Sequence, residues 1–222
     1  MATIDWGYGW IVGEGDNNYH IGLVREALSA LGEGVRRCAK RIDEADASGH
    51  AEYADAVTDE ECDVIETLLG SAFTVCQTHI AKVVSDVKTL HRLAGKGSKG
   101  KSGVRLTTTN GEKTDIMRLG CTQVGSSGVS LVQALDALAN YFKHREEWIG
   151  DWASLSGHAA KTAPTITLLG LQKGSTGNLR RGAKLLGNTG FDNMNAFANI
   201  LEEWHKEVMA MYEKELRKHG LM

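Results

Sequence analysis

Apolar residues recur along this chain at alternating steps of three and four, the period of a helix with one buried face. Ile21, Val24, Leu28, Leu31, Val35, Cys38 and Ile42 form one seam and predict a helix from about His20 to Ala45. Gly32 and Gly34 interrupt it and invite another helix to approach closely. Ser48-Gly49 then breaks the pattern. Thr58-Asp-Glu-Glu61 has the spacing of a capping box, in which a hydroxyl accepts an amide bond and a carboxylate reaches back. From there Ile65, Leu69, Ala72, Cys76, Ile80, Val83, Val87 and Leu90 make one stripe to about Ala94. That helix is expected to span roughly 50 Å and to lie antiparallel to the first. Leu131, Leu135, Leu138, Phe142 and Ile149 predict a third helix over about Ser130 to Ile149. Phe197, Leu201, Trp204, Val208 and Met211 predict a last one over about Asn193 to His219. Its late Lys214, Arg217, Lys218 and His219 suit the negative end of the helix dipole.

The segments between these seams have other signatures. Trp6, Tyr8, Trp10 and Val12 alternate with Gly7, Gly9 and Ile11, which predicts a short extended strap with one aromatic face. Val104 to Thr109 is rich in β-branched residues and Asn110-Gly111 is a strong hairpin signal. Lys113 to Leu119 is expected to return as a second strand. Trp148 and Trp152, one turn apart, are expected to pack together. Pro164 is expected to start a short helix through Leu171, and Asn178 to Leu186 reads as another, with Arg180, Arg181 and Lys184 outside. Together these elements predict one all-α domain over residues 1–222. It is a bundle of four main long helices with short extra helices and a small, flexible basic β-hairpin insertion at about 95–128.

Composition narrows the function classes. A net charge of −3 argues against a wholesale nucleic-acid binder and leaves room for local basic patches. The insertion is the most basic segment, and Lys96, Lys99, Lys101, Arg105 and Lys113 are its candidate RNA contacts. Gly95-Lys-Gly-Ser-Lys-Gly-Lys-Ser102 matches the letters of a phosphate-binding loop. A phosphate-binding loop needs a strand before it and a helix after it, whereas here a helix precedes and a β-prone run follows, so it reads as a Gly/Ser linker. No apolar run nears the roughly 20 residues of a membrane span. The first residues carry no secretory pattern. Cys38, Cys62, Cys76 and Cys121 lack paired spacing, so reduced thiols and a cytoplasmic location are expected. Cys76 and His79 lie one turn apart, but two further metal ligands cannot be placed, and His79, flanked by core positions, reads as a packed or hydrogen-bonded histidine. No metal or cofactor is expected.

The chemistry concentrates between Leu138 and Trp148, where an amide, a lysine, an imidazole, an arginine and two carboxylates stand among large apolar residues. Asp136, Asn140, Lys143, His144 and Glu147 share a helix face at steps of three and four. An imidazole can exchange a proton near neutral pH, and Lys143 and Arg145 can hold a phosphate. A solvated polar face is the plain alternative. Asn140-Tyr-Phe-Lys-His144 resembles the last part of the motif of HEPN proteins, helical bundles that include ribonucleases of toxin–antitoxin and antiviral systems. Ala139 stands where that family's arginine would be. The resemblance implies an RNA-binding protein or metal-independent endoribonuclease, catalytically degenerate if no other cation serves. It implies His144, Asn140, Lys143 and Arg145 as the catalytic set, a homodimer, and a role in bacterial defence or stress. The rival expectation is a non-enzymatic helical interaction protein, antitoxin-like or a scaffold, that binds a protein partner.

Overall fold

The computed structural model describes residues 2–13, 15–96, 103–148, 152–172 and 175–222. The chain is all-α. Helices α1 (Ala2–Val12), α2 (Gly15–Ala47) and α3 (Ala51–Lys96) are followed by a single turn, α4 (Lys113–Ile116). Then come α5 (Leu131–Lys143), α6 (Gly157–Leu168), α7 (Asn178–Leu185) and α8 (Asn195–Lys218). Short 3-10 turns lie at Arg145–Trp148 and Trp152–Ser154.

The 46 residues of α3 form the spine, a rod of about 69 Å. It packs on α2, α5, α7 and α8 as well as on α1 and α4. Its stripe Leu69, Phe73, Cys76, Ile80, Val83, Val87 and Leu90 is fully buried, and each large apolar side chain so placed is worth about 1.5–3 kcal/mol. From α8, Phe197, Leu201, Trp204, Val208 and Tyr212 fill the other side. The rings of Phe73 and Phe197 meet with centroids 5.1 Å apart. Close approaches fall at small residues. A β-carbon at Gly34 would lie 2.9 Å from Leu68 of α3, and one at Gly32 would strike the carbonyl of Asp192 just before α8. One at Gly70 would overlap the Phe142 ring, so α5 seats that ring on the bare backbone of α3.

Several local expectations are corrected. Residues 6–12 belong to a helix, not an extended strap. Tyr8 and Val12 are one turn apart and both buried, while Trp10 is 59% exposed. Helix α3 starts at Ala51, so Thr58 lies inside it and the predicted capping box does not form. Glu61 instead turns inward, wholly buried, with Arg41 Nη2 2.8 Å from its carboxylate. Burial, helped by Glu61, raises the Cys38 thiol to about 11. Helix α5 stops at Lys143 and continues only as a 3-10 turn. Its start is fixed by a capping box that pairs Ser130 with Gln133. Pro164 lies inside α6 instead of starting it, where it removes one helical donor.

The hairpin is also corrected. Among the described residues there is no strand, only an isolated bridge between Gln123 and Ser130. Asn110 Oδ1 accepts the Glu112 amide (2.8 Å) and Thr109 Oγ1 accepts the Gly111 amide (3.1 Å). With Gly111 at φ 84°, this turn leads into α4 instead of reversing a strand. The segment is anchored by buried Leu106, Ile116, Met117, Val124 and Val129. The predicted pairing of Trp148 and Trp152 does form, with centroids 5.1 Å apart, and Tyr141 adds its ring 4.9 Å from Trp148.

Candidate functional site at the end of α5

The polar face of α5 meets α3 and α4 in a connected network. Gln77 Nε2 donates to Asp136 Oδ1 (2.6 Å) and to Asn140 Oδ1 (3.0 Å). Lys113 Nζ donates to both oxygens of Asp136, each at 2.7 Å. Lys143 Nζ donates to Gln77 Oε1 at 2.5 Å. Asp136 is 7% exposed, so a charge there demands the partners it has. The structure thus brings Asn140, Lys143 and Lys113 together around Gln77 and Asp136.

His144 stands apart from that network. It is the C-cap of α5, and its Nδ1 lies 2.8 Å from Glu147 Oε1. Its side chain is 27% exposed. The carboxylate fixes the ring's orientation, as second partners of reactive imidazoles do. Arg145 begins the 3-10 turn that follows, and its side chain lies outside the described residues. Ala139, at the position where the HEPN motif has arginine, is fully buried. Of the other basic candidates, Lys96 ends α3 and is exposed, and Arg105 is exposed in the loop beyond. Lys99 and Lys101 lie outside the described residues.

Two clusters escaped the sequence reading, and a third supplies the partners of the packed, hydrogen-bonded His79 it expected. The first joins the loop at 107–109 to α8. Glu215 accepts the amide and hydroxyl of Thr107 (2.5 and 2.8 Å) and those of Thr108 (3.0 and 2.6 Å). Burial alone would raise the Glu215 carboxyl, but these donors outweigh it and bring it down to about 2. Beside it Tyr212 Oη bonds to Thr109 Oγ1 (2.7 Å) and to His91 Nε2 (2.9 Å).

The second cluster caps α7. Glu66 of α3 accepts the Leu179 amide (3.0 Å), the Arg180 amide (3.1 Å) and Arg180 Nε (2.9 Å). The third is a group of imidazoles. His79 is wholly buried, with its Nδ1 3.1 Å from His20 Nδ1 and its ring 5.2 Å from that of His205. Burial, and then its neighbours His205 and His20, lower His79 to about 3. Among the described residues, no three His, Cys, Asp or Glu side chains converge to hold a metal ion. The signal for all three clusters was absent locally, because each partner is at least 59 residues away.

No helix among the described residues is long and apolar enough to cross a membrane. Comparisons with known protein families, curated proteins and solved structures give no match to this chain.

Proposed function

We propose that this chain is an RNA-binding helical protein of HEPN-like layout, cytoplasmic, with reduced cleaving chemistry, serving bacterial defence or stress. In this reading α2, α3, α5 and α8 are the main helices of the bundle. The observation that carries it is the end of α5, where a half-buried imidazole is oriented by Glu147 next to the exposed residue Lys143. In the mechanism the resemblance implies, His144 draws the proton from a ribose 2′-hydroxyl as it attacks the adjoining phosphate; the bond from phosphorus to the next nucleotide's 5′-oxygen breaks, leaving a 2′,3′-cyclic phosphate, and the departing 5′-oxygen takes a proton from water. Lys143 or Arg145 neutralises that phosphate and Asn140 orients the group under attack. Two features support slow chemistry. Lys143 and Asn140 are already bonded to Gln77, so part of the lysine's donor capacity is spent within the fold and its reach is tied to α3. Ala139 is buried, where an arginine could not turn outward without opening the α5 packing.

The test is total RNA incubated with wild type and His144→Ala, without added metal. The expected result is RNA bound by both, with slow cutting by wild type that falls by about 100-fold in the variant. Equal cutting by both would take His144 out of the mechanism, and RNA neither bound nor cut would overturn the proposal. One observation favours the rival reading of a non-enzymatic interaction protein or homodimer. Tyr19 and Leu23, one turn apart on α2, are 69% and 46% exposed, an apolar pair that a partner would cover.

A further inference from the structure

A hollow of about 360 Å³ runs along α7, lined by Ser175, Thr176, Arg180, Arg181, Lys184 and Phe191. Among the described residues no carboxylate lines it, in a chain that carries 28 acidic and 25 basic residues. The spacing explains the convergence. Arg180 and Lys184 are four residues apart on one helix face, and Arg181 flanks them.

The three cations differ in how they are matched. Arg180 is neutralised by Glu66 from behind and touches Cys62 Sγ at 3.0 Å. Arg181 has one long contact, Nη1 to Gln172 Oε1 at 3.4 Å, and is exposed. Lys184 places its ammonium over the Phe191 ring, 5.4 Å from the centroid. Neither of these two has an ion-pair partner among the described residues. Glu66 already occupies the first free amides of α7. An incoming anion therefore meets side-chain cations and the hydroxyls of Ser175 and Thr176, not the helix end.

Phe191 supplies the second observation. At φ 67° it is the only non-glycine residue in the left-handed region among the described residues. A bulky side chain adopts that conformation only when its surroundings hold it there. Asn188, 1% exposed, does so by donating its Nδ2 to the Phe191 carbonyl (3.0 Å). The held ring forms an aromatic wall of the groove, with the Lys184 ammonium over it and Arg181 in the same lining. Cations for a phosphate beside a ring for a base are the components of a single-strand nucleic-acid groove. A second hollow of about 370 Å³ shares Ser175 and Thr176 with this one and reaches Tyr141 and Phe142 of α5, but Asp63 and Glu66 line it, so the phosphate is held on the α7 side.

We propose that this groove is the phosphate-binding subsite for a single-stranded RNA: Arg181 and Lys184 hold one phosphodiester and Phe191 backs the adjoining base. The inference rests on the RNA-binding reading above and adds where the strand is gripped. It is tested by fluorescence anisotropy of a labelled twelve-nucleotide single-stranded RNA over a range of salt. Wild type, R181A/K184A and the charge-keeping R181K/K184R are compared, with helix content checked by circular dichroism. A parallel arm titrates inorganic phosphate and a nucleoside 5′-monophosphate. The expected result is at least tenfold weaker RNA binding by R181A/K184A. Its salt slope should fall by about 1–2, with near wild-type behaviour in R181K/K184R. Equal RNA binding by wild type and R181A/K184A would overturn the groove and leave the RNA-binding reading standing. If wild type ignores RNA but binds the monophosphate or phosphate, and R181A/K184A does not, the RNA source is overturned and the phosphate chemistry kept. Binding of none of these probes would overturn both.

Discussion

Glu215 and Glu66 each fasten a loop or helix start by taking backbone and side-chain donors on one carboxylate, yet the surfaces left around them differ. At Glu215 four donors from Thr107 and Thr108 converge on two oxygens. The nearby polar groups, Thr109, Tyr212 and His91, are bonded to one another. At Glu66 two amides and one guanidinium do the same for α7, but Arg181 and Lys184 have no ion-pair partner among the described residues. The first region is chemically complete. The second carries a positive excess that the fold does not need. A polar cluster is thus a candidate for binding when its charges outnumber its internal partners, and the density of polar residues alone does not decide.

The largest expected effect breaks the complete side. Glu215 is held at about 2, below its ordinary value of 4.5. Its contribution is therefore fully present above pH 4.5 and is lost as pH falls through the folded-state value near 2. Denaturant unfolding followed downward from pH 6 should lose about 3 kcal/mol through this carboxylate. The Glu215→Gln variant should lack that part of the pH dependence. Next comes Asp136→Ala, which leaves Lys113 and the Gln77 amide without their common acceptor. A loss of about 2 kcal/mol is expected, since Lys113 can turn to solvent while Gln77 cannot so easily. Urea midpoints at fixed slope would measure it. The smallest change is Glu66→Gln, which keeps an acceptor for the α7 amides but removes the charge opposite Arg180. It should cost about 1 kcal/mol. It should also tighten RNA binding modestly, because Arg180 then joins the positive excess. Weaker binding in Glu66→Gln would argue that α7 must be held by a charge for the groove to form.

The long seams were readable because burial on one face of a helix writes itself into spacing of three and four. The seams through Leu28, Leu69 and Leu201 are buried along most of their length, with Leu31, Ile42 and Met211 only half-buried. Errors fell where one pattern supports two structures. Tyr8 and Val12 fit a period of two and are also one helical turn apart, and packing of α1 on α8 selects the helix. Val104 to Thr109 has the residues of a strand, but its amides at 107 and 108 go to Glu215 and leave no ladder to build. At the candidate site, the grouping of Asn140 with Lys143 was legible on one helix. The roles of Gln77 and Lys113 were not, because they arrive from 63 and 23 residues away. For α7, sequence showed the three basic residues but not that Glu66 would match only one of them.

The length of α3 has a consequence for how the molecule comes apart. Before Ile65 only Glu61 of α3 is buried, so the tip of the α2–α3 hairpin stands clear of the core. Local opening there costs little, whereas the stretch from Ile65 onward opens only with the whole domain. The Glu61–Arg41 ion pair sits at that boundary, and Glu66 lies just over one turn inside it. Fraying from the tip can therefore proceed without disturbing α7 until that pair parts. One further turn of unwinding would release Glu66, and with it the start of the helix that carries Arg181 and Lys184.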